Sequence, residues 1–248
     1  MHKIYILWLR QLKRYVRSRS RIVGALAQPM LYLLALGYGF GAVFRQAGQG
    51  DYLQFLAPGI IGMSIIFTSI FSGMEVIWDR QFGFLKETLV APMPRFAIML
   101  GRTTGGATVA TLQGCIVLVM SLLFGFRPVD PLLLIAVVPC MFLMALLFTS
   151  LGTAIASVMS DMQGFQLIIN FLIMPMFFLS GALYPLAGLP KALAIIAAIN
   201  PLSYGVDAFR ALLINGGHYG IGLDVTVLGI ATLVFLILGG RFFSRIQV

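Results

Sequence analysis

Long runs without a charged residue dominate the chain, and their length matches a lipid bilayer. A helix rises about 1.5 Å per residue and a hydrocarbon core is about 30 Å thick, so about 20 apolar residues cross it. On that measure six spans are predicted, over 22–44, 53–77, 103–126, 132–158, 163–183 and 220–241. Glu75 marks the end of the second, and Asp224 lies near the start of the sixth. Nothing alternates with the period of a barrel strand, and in lipid a helix satisfies its own backbone. The predicted fold class is an all-α polytopic membrane protein. The run 22–44 is too long for the core of a cleaved signal peptide and reads as a retained span.

One apolar stretch breaks the rhythm. Only 15 residues separate Lys191 from Asp207, and Asn200-Pro201 interrupts them. Proline disfavours helix at the residue before it. The segment 184–215 therefore reads as two short helices that enter the outer side of the bilayer, or lie along it, without crossing. Such backbone must be covered by protein or line a wet cavity.

The cations set an orientation. Six spans put both termini on one side together with thirteen of the 17 Lys and Arg, leaving Arg45, Arg127, Lys191 and Arg210 on the other. The positive-inside rule makes the first side cytoplasmic. A seventh span near Asn200 would move Arg241 and Arg245 outside, against the same rule.

Residues 1–21 form an element of their own. Arg10, Lys13, Arg14 and Arg17 fall at i, i+3, i+4 and i+7, one face of a helix, while Ile4, Trp8, Leu12 and Tyr15 form an apolar stripe on another. A basic amphipathic helix with Trp and Tyr reads as one lying in the cytoplasmic interface. The alternative role is contact with a partner or a gate.

Composition changes the picture little. Of 248 residues 60% are hydrophobic and 10% charged, and the net charge of +9 reflects cations clustered at the ends of apolar runs. That is charge sorting across a membrane, and nucleic acid is not an expected partner. Cys115 and Cys140 both sit inside apolar runs and read as small buried hydrophobes. His2 and His218 are predicted on opposite sides, so no metal cluster is expected.

The longest cytoplasmic loop, 78–98, carries the first candidate chemistry. Phe82, Leu85 and Leu89 recur at helical spacing, Arg80, Lys86 and Glu87 lie elsewhere on that helix, and Pro92 and Pro94 stop it. Periodicity leaves its counterpart open between the lipid surface and a cytoplasmic partner.

The stretch Phe84-Leu85-Lys86-Glu87-Thr88-Leu89-Val90-Ala91-Pro92-Met93-Pro94-Arg95 resembles the signature of type-2 ABC exporter permeases of the daunorubicin-resistance-like family. A second match follows in that family's order: Leu179-Ser180-Gly181-Ala182-Leu183-Tyr184-Pro185, then Asn200-Pro201-Leu202-Ser203-Tyr204 and Asp207-Ala208-Phe209-Arg210. With the six-span layout the resemblance covers essentially the whole chain. It implies a plasma (bacterial inner) membrane permease that dimerises and binds two copies of a separate cytoplasmic ATPase. It also implies that the helix around Glu87 is a coupling helix. Phe82, Leu85 and Leu89 would grip the ATPase, Glu87 would pair with a basic group there, and Pro92 would end the helix. Gly181, Pro185, Asn200, Pro201, Asp207 and Arg210 would form the outer re-entrant motif or gate.

The chain has no G-x-x-x-x-G-K-[ST] phosphate loop, so ATP and Mg would be bound by the partner, and no cofactor is expected here. Gly101 and Gly105 suit close helix packing. Glu75, Asp79 and Asp161 read as interfacial carboxylates, and Asp207 and Arg210 are spaced to pair on one helical face. Phe142, Phe148, Phe165, Phe171, Met174, Met176, Phe177 and Phe178 are candidates for an adaptable apolar pathway. The function expected is export of an amphipathic or hydrophobic substrate: a drug, a lipid or a lipid-linked glycan. The alternative is an ATP-independent carrier or channel, disfavoured because no charge lies clearly mid-membrane and no inverted repeat is evident. No nucleophile–base or metal constellation supports a membrane enzyme.

Overall fold

The computed structural model describes residues 2–46, 50–84 and 93–246. Among them the regular elements are helices: α1 (His2–Arg17), α2 (Arg19–Gly39), α3 (Gly41–Gln46), α4 (Tyr52–Gln81), α5 (Arg95–Leu123), α6 (Leu133–Val158), α7 (Met162–Phe178), α8 (Lys191–Ile199), α9 (Pro201–Ile214) and α10 (Ile221–Ser244). Five of them, α2, α4, α5, α6 and α10, are long and apolar enough to cross a membrane. The apolar α7 has 17 residues, or about 25 Å, at the short limit of a span. The predicted break at Asn200-Pro201 is a bend of 86° between α8 and α9.

Short polar side chains start three of these helices. Asp51 accepts the Leu53 N–H (3.1 Å), Asp161 the Gly164 N–H (2.5 Å) and Asn200 the Leu202 N–H (3.0 Å). Each satisfies an amide that the first helical turn would otherwise leave open. Asp161, read from sequence as interfacial, is thus a helix cap.

Two boundaries differ from expectation. α4 continues past residue 77 to Gln81, and α5 begins at Arg95 rather than near 103. Of the predicted loop 78–98, residues 78–81 continue α4 and 95–98 open α5, and 85–92 lie outside the described residues. Charge had marked those boundaries, but charge does not end a helix. Arg102 lies inside α5, buried and ion-paired, and Pro94, expected to stop a helix, is the N-cap of α5.

α4 is the central helix, with Leu56, Ile60, Ile61, Ile65 and Ile66 fully buried. It packs on α2, α5, α6 and α7, while α10 packs on α5, α6 and α9. α4 and α6 cross backbone to backbone. A Cβ on Gly73 would overlap the Gly152 carbonyl, and one on Gly152 would lie 2.6 Å from the Ile70 oxygen. Lipid is as apolar as Leu, so close approach through small residues, rather than escape from water, drives such packing. α2 and α7 lie on the periphery, with Leu31 and Phe171 turned outward.

Both ends of the described chain lie at one end of the bundle. Arg95 Nη1, at the start of α5, donates to the carbonyls of Ser244 (2.7 Å) and Ile246 (2.9 Å), and α1 lies along α5. The opposite end carries α8, α9 and the loops around 125–131, 179–190 and 215–220.

Candidate functional site

The α1 end is built on two glycines. A Cβ on Gly101 would sit 3.1 Å from Leu7 Cβ, and one on Gly105 would sit 2.9 Å from Gln11 Cβ. Their missing side chains make a groove that admits α1. The Trp8 indole N–H donates to Thr108 Oγ1 (2.9 Å), and the Tyr15 hydroxyl donates to Gln113 Oε1. Trp8 and Tyr15, read as part of a stripe for the membrane interface, therefore pack against protein.

A charged cluster lies beside this groove. Asp79 is buried and pairs with the equally buried Arg102 of α5. Arg10 approaches the other Asp79 oxygen at 3.7 Å, and Arg14 approaches Glu75 at 3.5 Å. Residues i and i+4 of α1 thus meet i+4 and i of α4, the register of two antiparallel helices. Arg10 and Arg14 remain 44% and 41% exposed at their side chains, so each touches an interior acid and the exterior at once. Lys13 and Arg17 point outward.

Past this cluster α4 runs toward the predicted coupling segment. Phe82 ends the helix, 64% exposed, with its ring 5.8 Å from that of Trp78. Leu85, Glu87, Leu89 and Pro92 lie outside the described residues.

The opposite end gathers the second motif. Asn200 holds α7 to α9. Its Nδ2 donates to the Met176 carbonyl (2.6 Å) while its Oδ1 caps α9, where Pro201 is the first residue. Gly181 has φ +75°, a left-handed turn that glycine adopts without strain. That turn aims the Gly181 carbonyl at Arg210, whose Nη2 donates to Gly181 O (2.7 Å) and Ala182 O (3.1 Å). The guanidinium lies 3.8 Å from the centroid of Phe55, a cation–π contact. The Tyr52 hydroxyl donates to the Leu183 carbonyl (2.9 Å), a further tie on the same turn. Pro185 follows it, half-buried.

Asp207 was expected to pair with Arg210. It instead accepts the backbone N–H of His218 (2.7 and 2.9 Å) and of Tyr219 (2.7 Å). The i, i+3 spacing places the two on adjacent faces of α9, and each is drawn to the backbone of a different loop. Tyr219 stacks on Tyr204 with centroids 4.9 Å apart.

The proposed apolar pathway residues do not share one surface. Phe148, Phe165 and Phe177 are fully buried, whereas Phe171 is 83% exposed. A crevice of about 330 Å³ lies elsewhere, between α2 and α4, lined by Gln28, Pro29, Ser64, Phe67, Thr68 and Phe71 among others. Among the described residues no group of three or more His, Cys, Asp or Glu is placed to hold a metal.

Sequence reasoning missed that Arg10, Arg14 and Arg102 converge on Glu75 and Asp79. The signal was present as two i, i+4 pairs of opposite sign, one on α1 and one on α4. It missed Asp224 as well, which is fully buried in the first turn of α10.

A bundle of long apolar helices, with its buried ion pairs and arginine–backbone ties near the two ends, is the architecture of a multi-pass membrane protein. The chain belongs to the ABC-2 type transporter family, whose model matches residues 2–214. It is 29% identical over 217 residues to Nodulation protein J of Rhizobium leguminosarum bv. viciae, an alignment covering 87% of this chain and 83% of that protein. To the transport permease ycf38 of Cyanophora paradoxa it is 28% identical over 219 residues, covering 86% and 74%. To the ycf38 permease of Pyropia yezoensis it is 31% identical over 212 residues, covering 79% and 68%.

Proposed function

We propose that this chain is the membrane subunit of an ATP-driven exporter, working as a homodimer with two copies of a cytoplasmic ATPase. Both termini and the segment 78–98 face the cytoplasm, and ATP with Mg is bound by the ATPase. The substrate is amphipathic or hydrophobic: a drug, a lipid or a lipid-linked glycan. Membership of the ABC-2 family supports this reading. The observation that carries it is the setting of segment 82–94. It joins α4, the central helix, to α5, which α1 and the C-terminal turn both grip. A push on that segment reaches α4 through Trp78 and Phe82 and reaches α1 through the contact of Asp79 with Arg10. Glu87, Leu85 and Leu89 are the contacts with the ATPase, and the α9 end closes the outer side.

Purification of the tagged chain in mild detergent from its host tests the reading. A stoichiometric ATPase is expected with the native chain and is lost with Glu87→Lys or Leu89→Asp. A preparation free of ATPase, in several detergents and in native lipid particles, would overturn it in favour of an ATP-independent carrier.

A further inference from the structure

The α1–α2 elbow at Ser18 encloses an open trough of about 1010 Å³. Arg10, Lys13, Arg14, Arg17 and Arg19 line it, together with Ile6 and Leu9, and among the described residues no acidic side chain does. Four of these cations repeat at i, i+3, i+4 and i+7 along α1, where like charges destabilise a helix unless an anion answers them. Two of the five, Arg10 and Arg14, meet acids on the bundle side. Among the described residues the trough side offers these cations no counter-charge.

Depth identifies the anion. The apolar window of α2 is Ile22–Gly39, so a bilayer crossed by α2 has its boundary immediately beyond Arg19. The trough therefore lies at headgroup level, where lipid phosphates are. A phosphate held at that depth is that of a lipid, whose acyl chains enter the bilayer beside α2.

We infer that the α1–α2 elbow is a binding site for the phosphate headgroup of an anionic phospholipid, seated on Lys13, Arg17 and Arg19. The inference rests on the reading of α2 as a membrane span. Arg10 and Arg14 link this site to Glu75 and Asp79, so headgroup occupancy and the hold of α1 on α4 draw on the same two guanidinium groups.

The test is lipid retention by the full chain in bilayer discs holding equal amounts of phosphatidylglycerol and phosphatidylcholine, counted by native mass spectrometry after release. A few cations at an anionic surface favour the charged lipid by about tenfold or more. That preference is expected for the native chain, and it should fall to near parity in the triple variant Lys13→Gln, Arg17→Gln, Arg19→Gln. Docking of α1 in the variant is checked by Trp8 emission in a Trp78→Phe background, since the Trp8 indole N–H is held by Thr108. The variant Arg127→Gln, Lys191→Gln, which removes two cations from the other end, should keep the preference. Equal retention by the native chain would overturn the site, as would a preference that survives the triple substitution. Displacement of the lipid by millimolar glycerol phosphate would also overturn it, showing a small-anion pocket instead. Lipid retention is read independently of the ATPase. Anionic preference in a preparation without ATPase would therefore keep this site and sink the exporter assignment.

Discussion

The two ends of the bundle hold their charges in different ways. At the α1 end side chains meet side chains: Asp79 with Arg102 and Arg10, and Glu75 with Arg14. At the α9 end side chains meet backbone: Asp207 takes two loop amides, and Arg210 donates to two loop carbonyls. A backbone bond fixes a loop's course and has no substitute within reach. Side-chain pairs between separate helices can lengthen or change partners as the helices slide, and two of these pairs stand at 3.5 and 3.7 Å with their arginines partly in solvent. The α1 end is thus expected to shift more readily than the α9 end. That polarity can be broken experimentally.

The largest effect is expected from Arg102→Met. Asp79 would keep only the distant Arg10 as a partner, and stranding one member of a buried ion pair costs about 3–5 kcal/mol. A sharp fall in the apparent melting temperature in detergent is the expected reading. The double variant Arg102→Met, Asp79→Leu should recover most of the loss, because removing both charges strands neither. Failure of the double variant to recover would mean that the pair carries more than its own charge balance.

Arg210→Met should come next, at about 2–3 kcal/mol. It loses two hydrogen bonds from a charged donor and leaves the carbonyls of Gly181 and Ala182 unmet. Arg210→Lys should recover little, since an ammonium has neither the planar fork nor the same stacking on Phe55. If the α9 end is pinned through backbone, this loss will be nearly independent of salt. A strong salt dependence would contradict that.

Apolar run length made the helices legible in the sequence, and Asn200-Pro201 made the bent outer pair legible, because both are local properties of the chain. What reached across the bundle was less so. Gly101 and Gly105 announced a close contact, but nothing local named α1 as its partner. Glu75 and Asp79 read as interfacial because composition places charges at span ends. The antiparallel approach of α1 brings Arg10 and Arg14 onto them, and α5 supplies Arg102. Asp207 and Arg210 had the spacing of a pair, yet the positive φ of Gly181 and the loop after Ile214 supply better partners, and backbone geometry of that kind leaves no trace in side-chain spacing. Motif resemblance pointed to the outer motif, without saying that it is a pair of loop ties.

Gly105→Leu tests the groove with a smaller expected effect on stability than on arrangement. A side chain there would meet Gln11 and the Trp8 backbone, displacing α1 by more than side-chain motion can absorb. Loss of the Trp8–Thr108 bond should shift Trp8 emission in a Trp78→Phe background. The α9 end should keep its melting contribution, since Arg210 and Asp207 make none of their contacts with α1.

The smallest effect separates the two ends most sharply. Arg14→Gln removes an ion pair at 3.5 Å from an arginine whose side chain is 41% exposed, and such pairs contribute about 0–1 kcal/mol. Little change in melting temperature is therefore expected at moderate salt. What should change is the salt response. The native α1 end should loosen as ionic strength rises from 0.01 M to 1 M, across which the screening length falls from about 30 Å to 3 Å, and Trp8 emission should report it. The variant should lack part of that response. If native and variant respond alike, the Arg14–Glu75 contact is not what holds α1 to α4, and the joint reduces to the Arg10–Asp79 contact and the glycine groove on α5.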